Sequence, residues 1–79
     1  MPNYGGIVEY IVRRLVNQPE EVSVTTEQSD AGAVLVTIST APDDIGRVIG
    51  KRGTTINAIR HVAKAASVKP GEKVDVDLS

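Results

Sequence analysis

The chain has no cysteine, no phenylalanine and no tryptophan, and its 79 residues include one histidine and two tyrosines, Tyr4 and Tyr10. Without cysteine there is no disulfide framework, no thiolate metal site and no Cys nucleophile. With so few rings the core must be aliphatic, drawn from valine, isoleucine, leucine and alanine. No apolar run approaches the roughly 18 to 20 residues of a membrane span. The N-terminus also lacks the charged start and apolar stretch of a secretory signal, so a soluble, cytoplasmic chain is expected. A chain of this length buries only about 60% of its unfolded surface and cannot fill two cores. Residues 1–79 are therefore expected to form one domain.

A large net charge is missing too. The formal value of −1 by itself argues against a nucleic-acid partner, since such proteins carry a basic footprint. The average conceals a segregation. Residues 45–71 contain Arg47, Lys51, Arg52, Arg60, Lys64 and Lys69 and no acid, and all ten acids lie outside that stretch.

What is present is periodicity. Tyr4, Ile7, Val8, Ile11, Val12, Leu15 and Val16 recur at three- and four-residue spacing and predict an amphipathic helix that ends before Pro19; Gly5 and Gly6 weaken its first turn and blur its start. Val22 and Val24, then Val34, Val36 and Ile38, alternate with polar partners and predict two strands. The linker Ser29-Asp30-Ala31-Gly32 suits an antiparallel hairpin. Pro42-Asp43-Asp44 reads as a helix start, with proline at the first position and carboxylates at the positive dipole end. Ile45, Val48 and Ile49 are expected on its buried side. That helix can run only to Gly50, and a third follows from about Thr54 to Ser67. Lys69-Pro70-Gly71 stops it, and Val74, Val76 and Leu78 alternate with Asp75 and Asp77 as a last strand. The order α-β-β-α-α-β implies a two-layer α+β sandwich, with three helices on one face of a three-stranded sheet.

The turn Gly50-Lys51-Arg52-Gly53 between the second and third helices is the candidate for chemistry. Two glycines let backbone approach a ligand closely, and the helix that follows points free N–H groups and a positive dipole end at an anion placed there. Lys51 and Arg52 add mobile positive charge. The plain alternative is a helix C-cap and a turn residue with two solvated cations between them. Placement between two helices of a βααβ run, inside the acid-free basic segment, favours the functional reading.

The string Val48-Ile49-Gly50-Lys51-Arg52-Gly53-Thr54-Thr55-Ile56 resembles the [IV]-I-G-x-x-G-x-x-I signature of KH domains, whose GXXG loop clamps four backbone nucleotides. The helix and strand before the βααβ core resemble the type II arrangement. Length and the segment Ala41 to Gly53 are similar to the small stand-alone bacterial KH-domain proteins of the KhpA family. The resemblance implies a non-catalytic protein that binds single-stranded RNA, a chaperone or post-transcriptional regulator working as a homodimer or beside a larger KH-domain partner. It implies Gly50, Lys51, Arg52 and Gly53 as the clamp, with Arg47, Ile49, Thr54 and Arg60 around it. Ile45, Val48, Ile49 and Ile56 lie near the groove floor, mainly as core. Ser67 to Lys73 resembles the loop across the groove, which makes Lys69 and Lys73 secondary candidates. The alternative is a protein-interaction module of the same fold. Ala58, Val62 and Ala65, on the rim of a wide apolar helix half, either pack on a partner or allow close helix–sheet contact.

Other constellations fail. A P-loop needs G-x-x-x-x-G-K-[ST], whereas Gly46 precedes Gly50 by four positions and Lys51 is followed by Arg52. His61 falls on a polar face with no Cys or carboxylate at ligand spacing, so no metal or cofactor is expected. Asp43 and Asp44 read as dipole partners rather than an acid/base pair. The outward sheet positions Ser23, Thr25, Thr37, Asp75 and Asp77 lack the aromatics on which an RRM stacks bases, which confines binding to the helical edge.

Overall fold

The computed structural model describes residues 3–79. Helix α1 is Tyr4–Leu15, with Tyr4, Val8 and Val12 buried at four-residue spacing. Its start is sharp rather than blurred, because the Asn3 side-chain oxygen accepts from the N–H of Gly6 at 2.9 Å, satisfying one of the four orphan donors of the first turn. Strands β1 (Ser23–Gln28), β2 (Val34–Ser39) and β3 (Val74–Leu78) form a sheet in that order. Gly5 has a packing reason: a Cβ there would lie 2.6 Å from Thr26 Oγ1 on β1. Its absence lets α1 settle close on the sheet.

Strands β1 and β2 pair antiparallel, Val24 opposite Ile38, through a turn in which Ser29 N–H donates to Ala33 C=O at 2.8 Å. Strands β2 and β3 pair parallel, Val36 beside Val76, as a crossover through helices permits. That crossover contains a 3₁₀ turn at Pro42–Asp44, helix α2 (Ile45–Ile49), a second 3₁₀ turn at Lys51–Gly53 and helix α3 (Thr54–Val68). Val34, Val36, Ile38, Val74 and Val76 bury one sheet face against Tyr4, Val8, Val12, Val48, Ile56, Ile59 and Ala63. The architecture is α+β, three helices over a three-stranded sheet, as the periodicities predict.

One expectation fails at α2. The helix is five residues long, and Ile45 stands 40% exposed instead of facing the core; only Val48 is fully buried. Ile45, Val48 and Ile49 share one face, but so short a helix packs on the core mainly through Val48, with Ile49 partly buried beside it, and leaves its first residue outside. Asp44 stands in the first turn, as expected, and does more. It is 1% exposed, and its two oxygens accept from the backbone N–H groups of Asn17 and Gln18 at 3.1 and 3.0 Å. These N–H groups lie just past the end of α1 and would otherwise be short of a partner. The carboxylate thus staples the exit of α1 to the entry of α2.

A second staple sits at the other end of α1, where Tyr4 Oη donates to Glu72 Oε1 at 2.6 Å. Burial first, then the hydrogen bond and charge of Glu72, push the phenol up to about 12. Among the described residues no helix is long and apolar enough to cross a membrane.

Candidate nucleic-acid interface

Helix α2 ends at Gly50 because that residue takes φ 75°, ψ 174°. A side chain there would collide with that of Thr55 and bring its Cβ within 2.8 Å of the Thr55 backbone nitrogen. Glycine is demanded twice, by conformation and by space. Arg52 follows at φ 58°, ψ 27°, a left-handed conformation that costs a non-glycine residue about 1 kcal/mol. Gly53 is left-handed as well, at φ 78°. The chain reverses within one tight turn, in which Gly53 N–H donates to Gly50 C=O at 3.2 Å and Thr54 Oγ1 to Lys51 C=O at 2.9 Å.

Among the described residues no side chain caps the N-terminus of α3; the N–H groups of Gly53 and Thr54 are bonded to the carbonyls of Gly50 and Lys51, and the positive end of the dipole faces outward behind them. The two glycines differ. Around a Cβ built on Gly53 the nearest atom is Asn57 Nδ2, 3.8 Å away. Gly50 is packed and Gly53 is open, so an approaching anion meets the loop at Gly53. Lys51 and Arg52 are exposed, and among the described residues neither is in an ion pair.

The flanking arginines are already engaged. Arg47 Nε lies 3.6 Å from Asp44 Oδ1. With its amide oxygen turned inward, Asn17 accepts from Arg47 Nη2 at 3.0 Å and Nε at 3.3 Å. Arg60 donates through Nε to Val76 C=O at 2.9 Å and through Nη1 to Asn57 Oδ1 at 3.0 Å. These bonds close part of an exposed strand edge. Lys73 C=O accepts from Val34 N–H and Ser79 N–H donates to Ile38 C=O, so by the alternation of a parallel ladder Val74, Val76 and Leu78 turn their backbone groups outward. Asp75 Oδ1 accepts from Val76 N–H at 3.0 Å, and Asp77 Oδ1 from Leu78 N–H at 2.9 Å.

The structure therefore gathers Arg47, Ile49, Gly50, Lys51, Arg52, Gly53 and Thr54 around one turn, with Ile49 half-buried and the Thr54 hydroxyl spent inside the loop. Arg60 lies about 9 Å further along α3, against β3. Lys69 follows the opposite end of α3, some 22 Å from the loop at 1.5 Å per residue, and is not part of this cluster. His61 is exposed. Sequence reasoning missed Asp44 as an anchor and Asn57, Asp75 and Asp77 as edge groups. The three-residue spacing from Asp44 to Arg47 was the available signal; the edge bonds leave none.

A family model described as "KhpA/KhpB, KH domain" matches residues 6–78. RNA-binding protein KhpA of Clostridium perfringens is 40% identical over 72 residues, 91% of this chain and 95% of that one. RNA-binding protein KhpA of Caldanaerobacter subterraneus is 36% identical over 74 residues, 94% and 97% respectively, and that of Listeria monocytogenes 37% over 68, 86% and 88%. The fold is also similar to part of Aquifex aeolicus Era bound to GDP.AlF4-, with a TM-score of 0.64 and 20% identity over 95% of this chain and 29% of that one. A structure of Era in complex with MgGDPNP and a segment of 16S ribosomal RNA gives the same TM-score. At that identity the likeness shows the fold alone. With a family match across residues 6–78 and relatives of nearly its own length, the chain belongs to the KhpA/KhpB KH-domain family.

Proposed function

We propose that the chain binds single-stranded RNA without catalysis, by seating the sugar-phosphate backbone on Gly50, Lys51, Arg52 and Gly53 as one domain spanning residues 1–79. The observation that carries this reading is the loop itself. Three of its four residues hold positive φ, the opening above Gly53 is clear, and two cations that are in no ion pair among the described residues stand before the start of α3. Phosphate contacts of this kind position a strand but carry no sequence information. Ile45 and Ile49, next to the loop, offer apolar surface to an unstacked base. The name RNA-binding protein, carried by relatives at 36–40% identity, supports the same reading.

Two to four neutralised phosphates give a single-strand salt slope of only about −1.4 to −2.8, so one domain binds weakly. A second copy of this chain, or a larger KH-domain partner, supplies the missing affinity by linking sites. An apolar groove of about 200 Å3 between α1 and α3, lined by Ile11, Leu15, Thr55, Ala58, Ile59 and Val62, supports self-association, with Val62 45% exposed on its rim. Such a dimer suits an RNA chaperone or post-transcriptional regulator in the cytoplasm. The test is fluorescence anisotropy with a labelled single-stranded RNA. Lys51→Asp with Arg52→Asp should abolish binding and leave the melting temperature unchanged; undiminished retention by the double variant rules out the loop as clamp.

A further inference from the structure

The two edges of the sheet are finished differently. On β3 the outward backbone groups are closed from within the chain: Asp75 and Asp77 accept from the N–H groups of Val76 and Leu78, and Arg60 donates to the Val76 carbonyl. On β1 they are open. Ser29 N–H donates to the Ala33 carbonyl, which in an antiparallel ladder makes Glu27–Leu35, Thr25–Thr37 and Ser23–Ser39 the bonded pairs. The N–H and C=O groups of Val24, Thr26 and Gln28 therefore point away from β2, and among the described residues no other group bonds them. Every residue of β1 except Val24 is exposed, so the row is within reach of an outside chain. The strand has no lysine, proline or bulge, the usual devices that blunt an edge.

Such a row is a template for an added strand, and its surroundings select which strand. Residues 15–46 hold Glu20, Glu21, Glu27, Asp30, Asp43 and Asp44 and no lysine or arginine. Glu20, Glu21, Glu27 and Asp30, which lead into β1, lie on it or follow it, are exposed and belong to no ion pair among the described residues. Arg13, on the helix packed over β1, lies 3.4 Å from Glu9 and is already engaged. A second copy of the chain at this edge would set the acidic stretch against itself, and RNA phosphate would be repelled by it.

We infer that the β1 edge takes an extended, lysine- or arginine-bearing segment of another protein as a fourth strand. The backbone of that segment bonds Val24, Thr26 and Gln28. A basic side chain on the open sheet face pairs with Glu27 across the strands, and the alternate side chains, on the helix side, are apolar and rest beside the half-buried Val24. With the strands in the order β1-β2-β3, this edge is the one away from β3 and Arg60, so the segment and RNA occupy different places.

The experiment titrates the full chain with a capped peptide of about eight residues, a common strand length, alternating valine and lysine, and with its valine–glutamate counterpart. Hydrogen exchange read by NMR should show the N–H groups of Val24, Thr26 and Gln28 slowed by about tenfold at saturation with the lysine peptide. Thr25 and Glu27, already bonded to β2, should change little, and the glutamate peptide should slow none of them. Glu27→Lys should reverse the order of the two peptides. Thr26→Pro, a change an edge strand tolerates, should weaken the lysine peptide by about fivefold, as loss of one hydrogen bond implies, and leave RNA anisotropy as in the parent. Equal binding of the two peptides, protection placed on Val76 and Leu78, or a Thr26→Pro variant that is folded and binds the lysine peptide like the parent overturns the inference. So does protection of the same three N–H groups that grows with protein concentration and no peptide, which would make a second copy the occupant.

Discussion

The four cations nearest the turn between α2 and α3 fall into two pairs. Arg60 spends hydrogen bonds inside the molecule, on Asn57 and the Val76 carbonyl, and Arg47 lies in an ion pair with the buried Asp44, beside the Asn17 amide. Lys51 and Arg52, between them in sequence, touch no carboxylate among the described residues. Positive charge in one short segment is thus divided between holding a scaffold and meeting a ligand. An arginine suits the first task because its planar fork can bond two acceptors at once. A mobile side chain on a strained, exposed turn suits the second. The loop stays open because its neighbours are tied down: Asp44 joins α2 to the end of α1, and Arg60 joins α3 to β3.

The largest effect expected from this division is on the loop. Charge reversal of Lys51 and Arg52 should lower RNA affinity by more than about a hundredfold, about 2.8 kcal/mol at 1.4 kcal/mol per decade, with the urea midpoint unmoved. Asp44→Ala should act the other way round, destabilising the fold by about 2 kcal/mol because two partly buried N–H groups lose their acceptor. Urea denaturation followed by circular dichroism measures it, and the folded fraction should still bind RNA. Arg60→Ala should cost about 1.5 kcal/mol of stability. Arg60→Lys should not restore it, because one ammonium cannot reach both the Val76 carbonyl and the Asn57 amide; a lysine variant as stable as the parent would break the comparison. The smallest effect is on salt dependence. Neutralising Lys51 and Arg52 to glutamine should flatten the single-strand slope by about 1.4, whereas Arg47→Gln should change it by less than about 0.7. Anisotropy across a potassium chloride series reads both, and equal slopes for the two variants would show that Arg47 serves RNA as fully as the loop does.

The strands and the two long helices were legible in the sequence, because Val34, Val36 and Ile38 at period two and Tyr4, Val8 and Val12 at period near 3.6 are sorted by the face they bury. The turn was legible because glycines at 50 and 53 interrupt a helical pattern inside an acid-free stretch. Helix α2 was read less well. Its spacing puts Ile45, Val48 and Ile49 on one face, but how much of that face so short a helix lays on the core depends on packing, and Ile45 stands 40% exposed. The anchoring role of Asp44 is not legible, because its partners, the N–H groups of Asn17 and Gln18, lie more than 25 residues away and carry no side-chain signature.

What the sequence determined by itself is the order of elements, the aliphatic core and the place of the loop, all local consequences of spacing and backbone freedom. What only the tertiary structure decided is which charges are free. Whether a given arginine or lysine has a partner depends on groups brought near by folding, such as the Val76 carbonyl beside Arg60 or the buried Asp44 beside Arg47, and backbone acceptors look alike at every position of the sequence.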